Sequence, residues 1–146
     1  MSMGNRTFNE HYRCDAITPA LVDDNTKSTG WIRVVGQRIV GLVLVGATDI
    51  TVDAKLRQAQ DDSGTNAKDI TGAAVTQFSG TDDNKWASID VDAARLDVNG
   101  NFTHVELLIT VGDGTTGANV AGVLLQEVRH KPPVQPAAYK EAVHVV

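Results

Sequence analysis

From Ile50 to Arg57 the apolar residues fall on every second position: Ile50, Val52, Ala54 and Leu56 alternate with Thr51, Asp53, Lys55 and Arg57. A period of two is that of a β-strand with one face on a core and the other toward water. The pattern recurs where Ala87, Ile89, Val91 and Ala93 alternate with Ser88, Asp90 and Asp92. It recurs again where Val105, Leu107, Ile109 and Val111 alternate with His104, Glu106 and Thr110, broken only at Leu108. These runs predict half-exposed strands. On this register Leu107 points inward and an aspartate there should prevent folding, whereas Glu106 points outward and should tolerate replacement by lysine.

Two runs differ. "RIVGLVLVG" (38–46) and "NVAGVLLQEV" (119–128) are apolar on both parities, as in strands covered on both faces, which places them centrally or beneath a contact between subunits. Each holds a glycine, Gly41 and Gly122, the mark of a bulge or of close backbone approach. "GWIRVVG" (30–36) predicts a short strand, and "RTFNEHYRCDAIT" (6–18) an edge strand or extended arm. Segments rich in Asp, Asn, Ser and Gly end the runs, because these residues adopt turn conformations at little cost. "DDSGTN" reads as a hairpin tip, "DVNGN" as a hairpin turn about Asn99-Gly100, and "VDAARLDV" as one helical turn at most. The expected fold is all-β: a β-sandwich or jelly-roll barrel of about seven to eight antiparallel strands with extended N- and C-terminal arms. Residues 1–29 would form an arm or edge strand, 30–130 the sandwich, and 131–146 a tail in which Pro132, Pro133 and Pro136 stop the sheet.

The chain of 146 residues fits one domain, large enough to bury roughly 70% of its unfolded surface without a metal or disulfide. Aromatic residues make up 5%, so the core must rest on Val, Ala, Leu and Ile. A net charge of -5 with scattered Lys and Arg argues against direct nucleic-acid binding, which needs clustered basic residues. The longest apolar run, 39–45, falls far short of the ~20 residues of a membrane helix, and the N-terminus lacks the apolar centre of a signal peptide. Synthesis in the cytoplasm and no membrane partner are expected. Cys14 is the one cysteine and reads as a passive thiol.

No motif carries chemistry. The acidic loops do not keep the ligand order of a helical calcium loop: after Asp97, Asn99 and Asn101, Phe102 stands where the turn glycine belongs and Leu108 where the closing Glu belongs. His11, His104, His130 and His144 include no zinc-helix spacing, there is no GxSxG, and "GDGTTG" is followed by neither a P-loop lysine nor a helix. The expectation is a protein that is not an enzyme, with no catalytic residue, no cofactor and no metal.

The succession "ITVDAKLRQAQDDSGTN", "DITGAAVTQ", "SIDV", "FTHVELLITVG" and "NVAGVLLQE", ending at Pro132 and Pro133, resembles the capsid decoration, or cement, proteins of tailed bacteriophages. The likeness spans roughly residues 38 to 133, and departs from the family pattern where His104 or Phe102 replaces a tyrosine. It implies a sandwich on the exterior of the virion capsid, with the major capsid protein and further copies of itself, as homodimer or homotrimer, as partners. Phe8, Tyr12 and Arg13 are residue types suited to anchoring such contacts. In the tail, Tyr139, Val143, Val145 and Val146 would add apolar burial, so truncation after Lys131 should leave a folded domain with weaker self-association or capsid attachment. Two other readings are a sandwich that binds carbohydrate or a host surface, as in head fibres, and a tail or head-completion component.

Overall fold

A computed structural model describes residues 8–128 of the chain. The period-two runs become strands whose burial follows the sequence. Val52, Ala54 and Leu56 are buried while Asp53 is exposed, and Ile89 and Val91 are buried between exposed Ser88, Asp90 and Asp92. A single helical turn, α1 (Phe8–His11), precedes nine strands: β1 (Tyr12–Val22), β2 (Asn25–Ser28), β3 (Ile32–Arg33), β4 (Arg38–Thr48), β5 (Val52–Ala59), β6 (Lys68–Ala74), β7 (Lys85–Asp92), β8 (His104–Val111) and β9 (Ala118–Glu127). The "VDAARLDV" segment is strand to Asp92 and then a short 3-10 turn, Ala93–Arg95, capped by the Asp92 side chain.

The strands form a four-stranded sheet in the order β1-β9-β4-β7 and a five-stranded sheet in the order β2-β8-β5-β6, with β3 also paired to β8. Every pairing is antiparallel. Consecutive strands mostly change sheet, and β5 to β6 is a hairpin within one. This order is that of a jelly roll, two Greek keys closed face to face, with β3 as a short extension. The all-β expectation holds. Residues 12–28 belong to the sandwich as edge strand and β2, while the tail residues Tyr139, Val143, Val145 and Val146 lie outside the described residues.

The core lies between the sheets, with Ile39, Val43, Leu56, Leu107, Ile109 and Leu124 fully buried, each contributing about 1.5–3 kcal/mol. The two strand glycines face this core. A Cβ on Gly122 would lie 2.9 Å from Leu107 Cδ2, and one on Gly41 3.2 Å from both Leu107 Cδ1 and Leu56 Cδ2. They are notches filled by leucines of the facing sheet, which settles the choice between bulge and close approach. The irregularity in the four-stranded sheet's edge lies in β1, whose register with β9 shifts between Ile17 and Ala20. Pro19, which has no N–H to donate, sits in that shift.

One turn differs from its sequence reading. Residues 97–102 do turn, with Gly100 N and Phe102 N donating to Asp97 O, and the left-handed residue is Asn101 (φ 62). The strands it joins, β7 and β8, lie in different sheets, so the segment is an arch across the sandwich and not a hairpin. Buried Leu96 and Phe102 anchor its two ends, which alternation within the strands could not reveal.

Candidate functional site

The outward face of the five-stranded sheet carries a polar cluster whose side chains pair largely with one another. Glu106, on the outward parity of β8, has a side chain only 7% exposed. It accepts hydrogen bonds from Ser28 Oγ at 2.6 Å and Arg57 Nη1 at 3.1 Å. The expectation that Glu106 stands in water is therefore overturned: β2 and the Arg57 side chain cover it, which removes the ground for expecting it to tolerate lysine. Arg57 Nε lies 3.3 Å from Asp69 Oδ1, a charge contact without hydrogen-bond alignment, since this buried N–H has no partner. Lys55 Nζ also reaches Asp69, at 3.0 Å. The guanidinium sits 5.7 Å from the centre of the Trp31 ring. Gly64, in the β5–β6 loop with φ +80, lies so close to Trp31 that a Cβ there would collide with the indole nitrogen.

The acidic loops spend their carboxylates on their own backbone. Asp61 takes Ser63 N and Thr65 N at 3.0 Å each and Thr65 Oγ1 at 2.5 Å, so "DDSGTN" is a hairpin tip tied by one aspartate. In "GDGTTG" the amides of Thr116 and Gly117 donate to Asp49 at 2.7 and 2.9 Å, and Gly114 N to Asp23 at 2.8 Å. The anion in this amide nest is the protein's own. The Thr65 hydroxyl and backbone hold Asp61, and the Gly117 and Thr116 amides hold Asp49, below the usual carboxylate range. Lys85 and Ser79 bring Asp82 down to about 2. Among the described residues no three His, Cys, Asp or Glu side chains converge to hold a metal.

The outward face of the four-stranded sheet is different. Strand pairing sets its residues in rows: Cys14, Leu125, Val40 and Asp90; then Ala16, Val123, Leu42 and Ser88; then Ala121, Leu44 and Trp86. Most are half-buried by lateral neighbours. Leu44 is 44% exposed and Trp86 67%, and no layer of described residues lies over them. Val40, Leu42, Leu44, Ala121, Val123 and Leu125 are the outer positions of the two runs that the sequence marked as covered on both faces. They are central in their sheet, as expected, and uncovered by the described residues.

At one end this face closes with a charged row, Tyr12, Glu127, Arg38 and Asp92, in which Arg38 Nη2 lies 2.6 Å from Asp90. Phe8 stacks on Tyr12 with ring centres 5.0 Å apart, adding aromatic surface at the β1 corner. At the other end of β1, Pro19, Leu21, Leu44 and Ala121 line a shallow hollow of about 400 Å3. Of the anchor residues named from sequence, Phe8 and Tyr12 thus meet at one corner of this face. Arg13 has the opposite parity and lies 3.0 Å from buried Asp15. Sequence reading missed Leu21, Leu44 and Trp86. For Leu44 the signal was the lack of alternation in the runs 38–46 and 119–128, which only the strand order makes neighbours; Leu21 and Trp86 lie outside both runs and had no such signal. Cys14 lies on the same face, its thiol pushed up to about 11 by burial and then by Asp15, which keeps it protonated near neutrality.

The chain matches no protein-family profile and no curated protein sequence. Similar solved structures include the K3 cleaved adhesin domain of Lys-gingipain from Porphyromonas gingivalis, at 12% identity and a TM-score of 0.40, covering 77% of this chain and 72% of that one. A chain of broad bean stain virus gives 12% identity and 0.44, covering 90% of this chain and 93% of that one. One of infectious bursal disease virus, Gx strain, gives 12% and 0.45, covering 83% of this chain and 33% of that one. The jelly-roll assignment rests on the strand order itself.

Proposed function

We propose that this chain is a structural virion protein, a decoration or cement protein that binds the exterior of an assembled tailed-phage capsid, contacts the major capsid protein and carries out no catalysis. The observation that carries this reading is the apolar face of the four-stranded sheet of a jelly roll, over which no described residue lies. A cement protein works by holding contacts between subunits, and such contacts need an apolar surface on a scaffold that does not deform. The sequence resemblance over residues 38–133 supplies the phage context. The polar clusters point the same way, since the loop acids Asp49, Asp61 and Asp82 are held by neighbouring groups of the same chain. Trp31, an aromatic that a carbohydrate-binding module could use as a platform, is instead flanked by Gly64 and Arg57.

Cosedimentation with undecorated capsids tests this. The expected outcome is saturable binding, with decorated capsids that resist heat or chelator better than bare ones. Absence of binding to such capsids, at concentrations where the protein is folded and soluble, would sink the reading.

A further inference from the structure

We infer that the apolar face of the four-stranded sheet is the contact between two copies of this chain, packed face to face about a twofold axis that runs across the strands through the row of Val123, Leu42 and Ser88. The inference rests on the preceding reading in one respect, that this face is a subunit contact.

The strand register determines what such an axis brings together. Glu127 and Asn119 lie equally far from Val123 along β9, and they pair with Tyr12 and Leu21 of β1. A twofold at Val123 therefore carries the Phe8–Tyr12 aromatic pair of one copy onto the hollow beside Pro19 and Leu21 of the other, and does so twice. On β7, Trp86 and Asp90 flank Ser88 at equal distance. The same axis brings the exposed Trp86 ring over the Arg38–Asp90 pair of the second copy, where a guanidinium can stack on the indole.

Charge selects this sense of packing. Arg38, Asp92 and Glu127 share one end of the face, and with Asp90 they leave an acidic excess there. A twofold along the strands would superpose the two acidic ends, whereas one across the strands sends them to opposite rims. The area also suffices for a second copy. Four strands ~4.8 Å apart, over nine residues of β4 at ~3.3 Å each, give a flat face of roughly 550 Å2. Two such faces exceed the ~1,000 Å2 total of a specific interface and fall below an obligate one, so the dimer should dissociate on dilution.

The test is sedimentation equilibrium of the full-length chain over a wide concentration range, with Leu44→Asp and Trp86→Ala alongside. Both positions are exposed, and circular dichroism checks that each variant stays folded. The expected result is a mass rising toward twice 15.6 kDa, with a dissociation constant raised at least about tenfold by Leu44→Asp. Trp86→Ala should weaken the dimer less. A wild-type chain that stays monomeric throughout, or a dimer untouched by Leu44→Asp, overturns the inference. A dimer lost on truncation after Lys131 but kept in Leu44→Asp would identify the tail as the contact and overturn it too. Monomeric wild-type protein whose capsid cosedimentation fails in Leu44→Asp would assign the face to the capsid, removing the dimer and leaving the cement reading intact. A dimer that meets these criteria but ignores capsids would do the reverse.

Discussion

The outward faces of the two sheets start from the same alternating backbone and end in opposite condition. On the five-stranded sheet Glu106 is closed in by Ser28 and Arg57, and Arg57 in turn lies against Asp69 and Trp31, so the polar side chains complete one another within a single chain. On the four-stranded sheet Val40, Leu42, Leu44, Val123 and Leu125 stand in rows with only lateral neighbours among the described residues. The first face has its partners already, and the second has apolar surface that water covers poorly. The contrast separates stability from recognition: substitutions on the polar face should unfold the protein, and those on the apolar face should leave it folded.

The largest expected effect is on the polar face. Glu106→Lys places a second cation beside Arg57 in a site that is 7% exposed, and should cost about 3–5 kcal/mol in urea denaturation. A loss under about 1 kcal/mol would mean that this carboxylate is as exposed as its parity suggests and that the comparison fails. Acid comes next. Asp49, Asp61, Asp82 and Asp97 all titrate below the usual carboxylate range, Asp82 at about 2 because of Lys85 and Ser79. A carboxylate with a depressed folded pKa contributes stability above its unfolded pKa and loses it as pH falls through the folded value. The melting temperature should therefore decline from about pH 4 downward, toward about 2 for Asp82. A flat profile across that window would mean that these loop contacts do not persist in solution.

The apolar face should respond weakly in stability. Leu44→Lys, measured at a concentration where the chain is monomeric, should shift stability by no more than about 0.5 kcal/mol. A large loss there would mean that the outer rows are part of the core. Smallest of all, Cys14→Ser should leave the melting temperature unchanged. The raised thiol pKa should make alkylation slow at neutral pH, and rapid labelling with a maleimide would contradict the burial of that thiol.

Alternation made the inner faces legible, because a residue's parity decides its side of a sheet whatever the strand order. Val52, Leu56, Leu107 and Ile109 were readable one strand at a time. Glu106 was misread for the same reason: parity tells which face a side chain takes, and not whether β2 and Arg57 lie over it. The arch at 97–102 was misread because Asn-Gly chemistry specifies a turn without specifying whether the strands it joins will pair. The candidate site was half legible. The runs 38–46 and 119–128 announced a second covered face, but Trp86 and Tyr12 joined it through register across four strands, which no local pattern carries.

The pairing of β1 with β9 also sets a clock. Tyr12 pairs with Glu127 and Val22 with Ala118, so β1 leaves the ribosome long before its hydrogen-bonding partner has been made. At ~5–20 residues per second the interval is on the order of ten seconds. For that time β1 is unpaired and β4 has only β7 to pair with, so the four-stranded sheet cannot form until its second strand in space, β9, is complete. Nascent chains arrested before Ala118 should be cut readily within β1 by a protease, and release of the full chain should bring protection there in a single step. Point changes in β9 would then act on yield during synthesis more strongly than equal changes in β5, whose hairpin with β6 forms early.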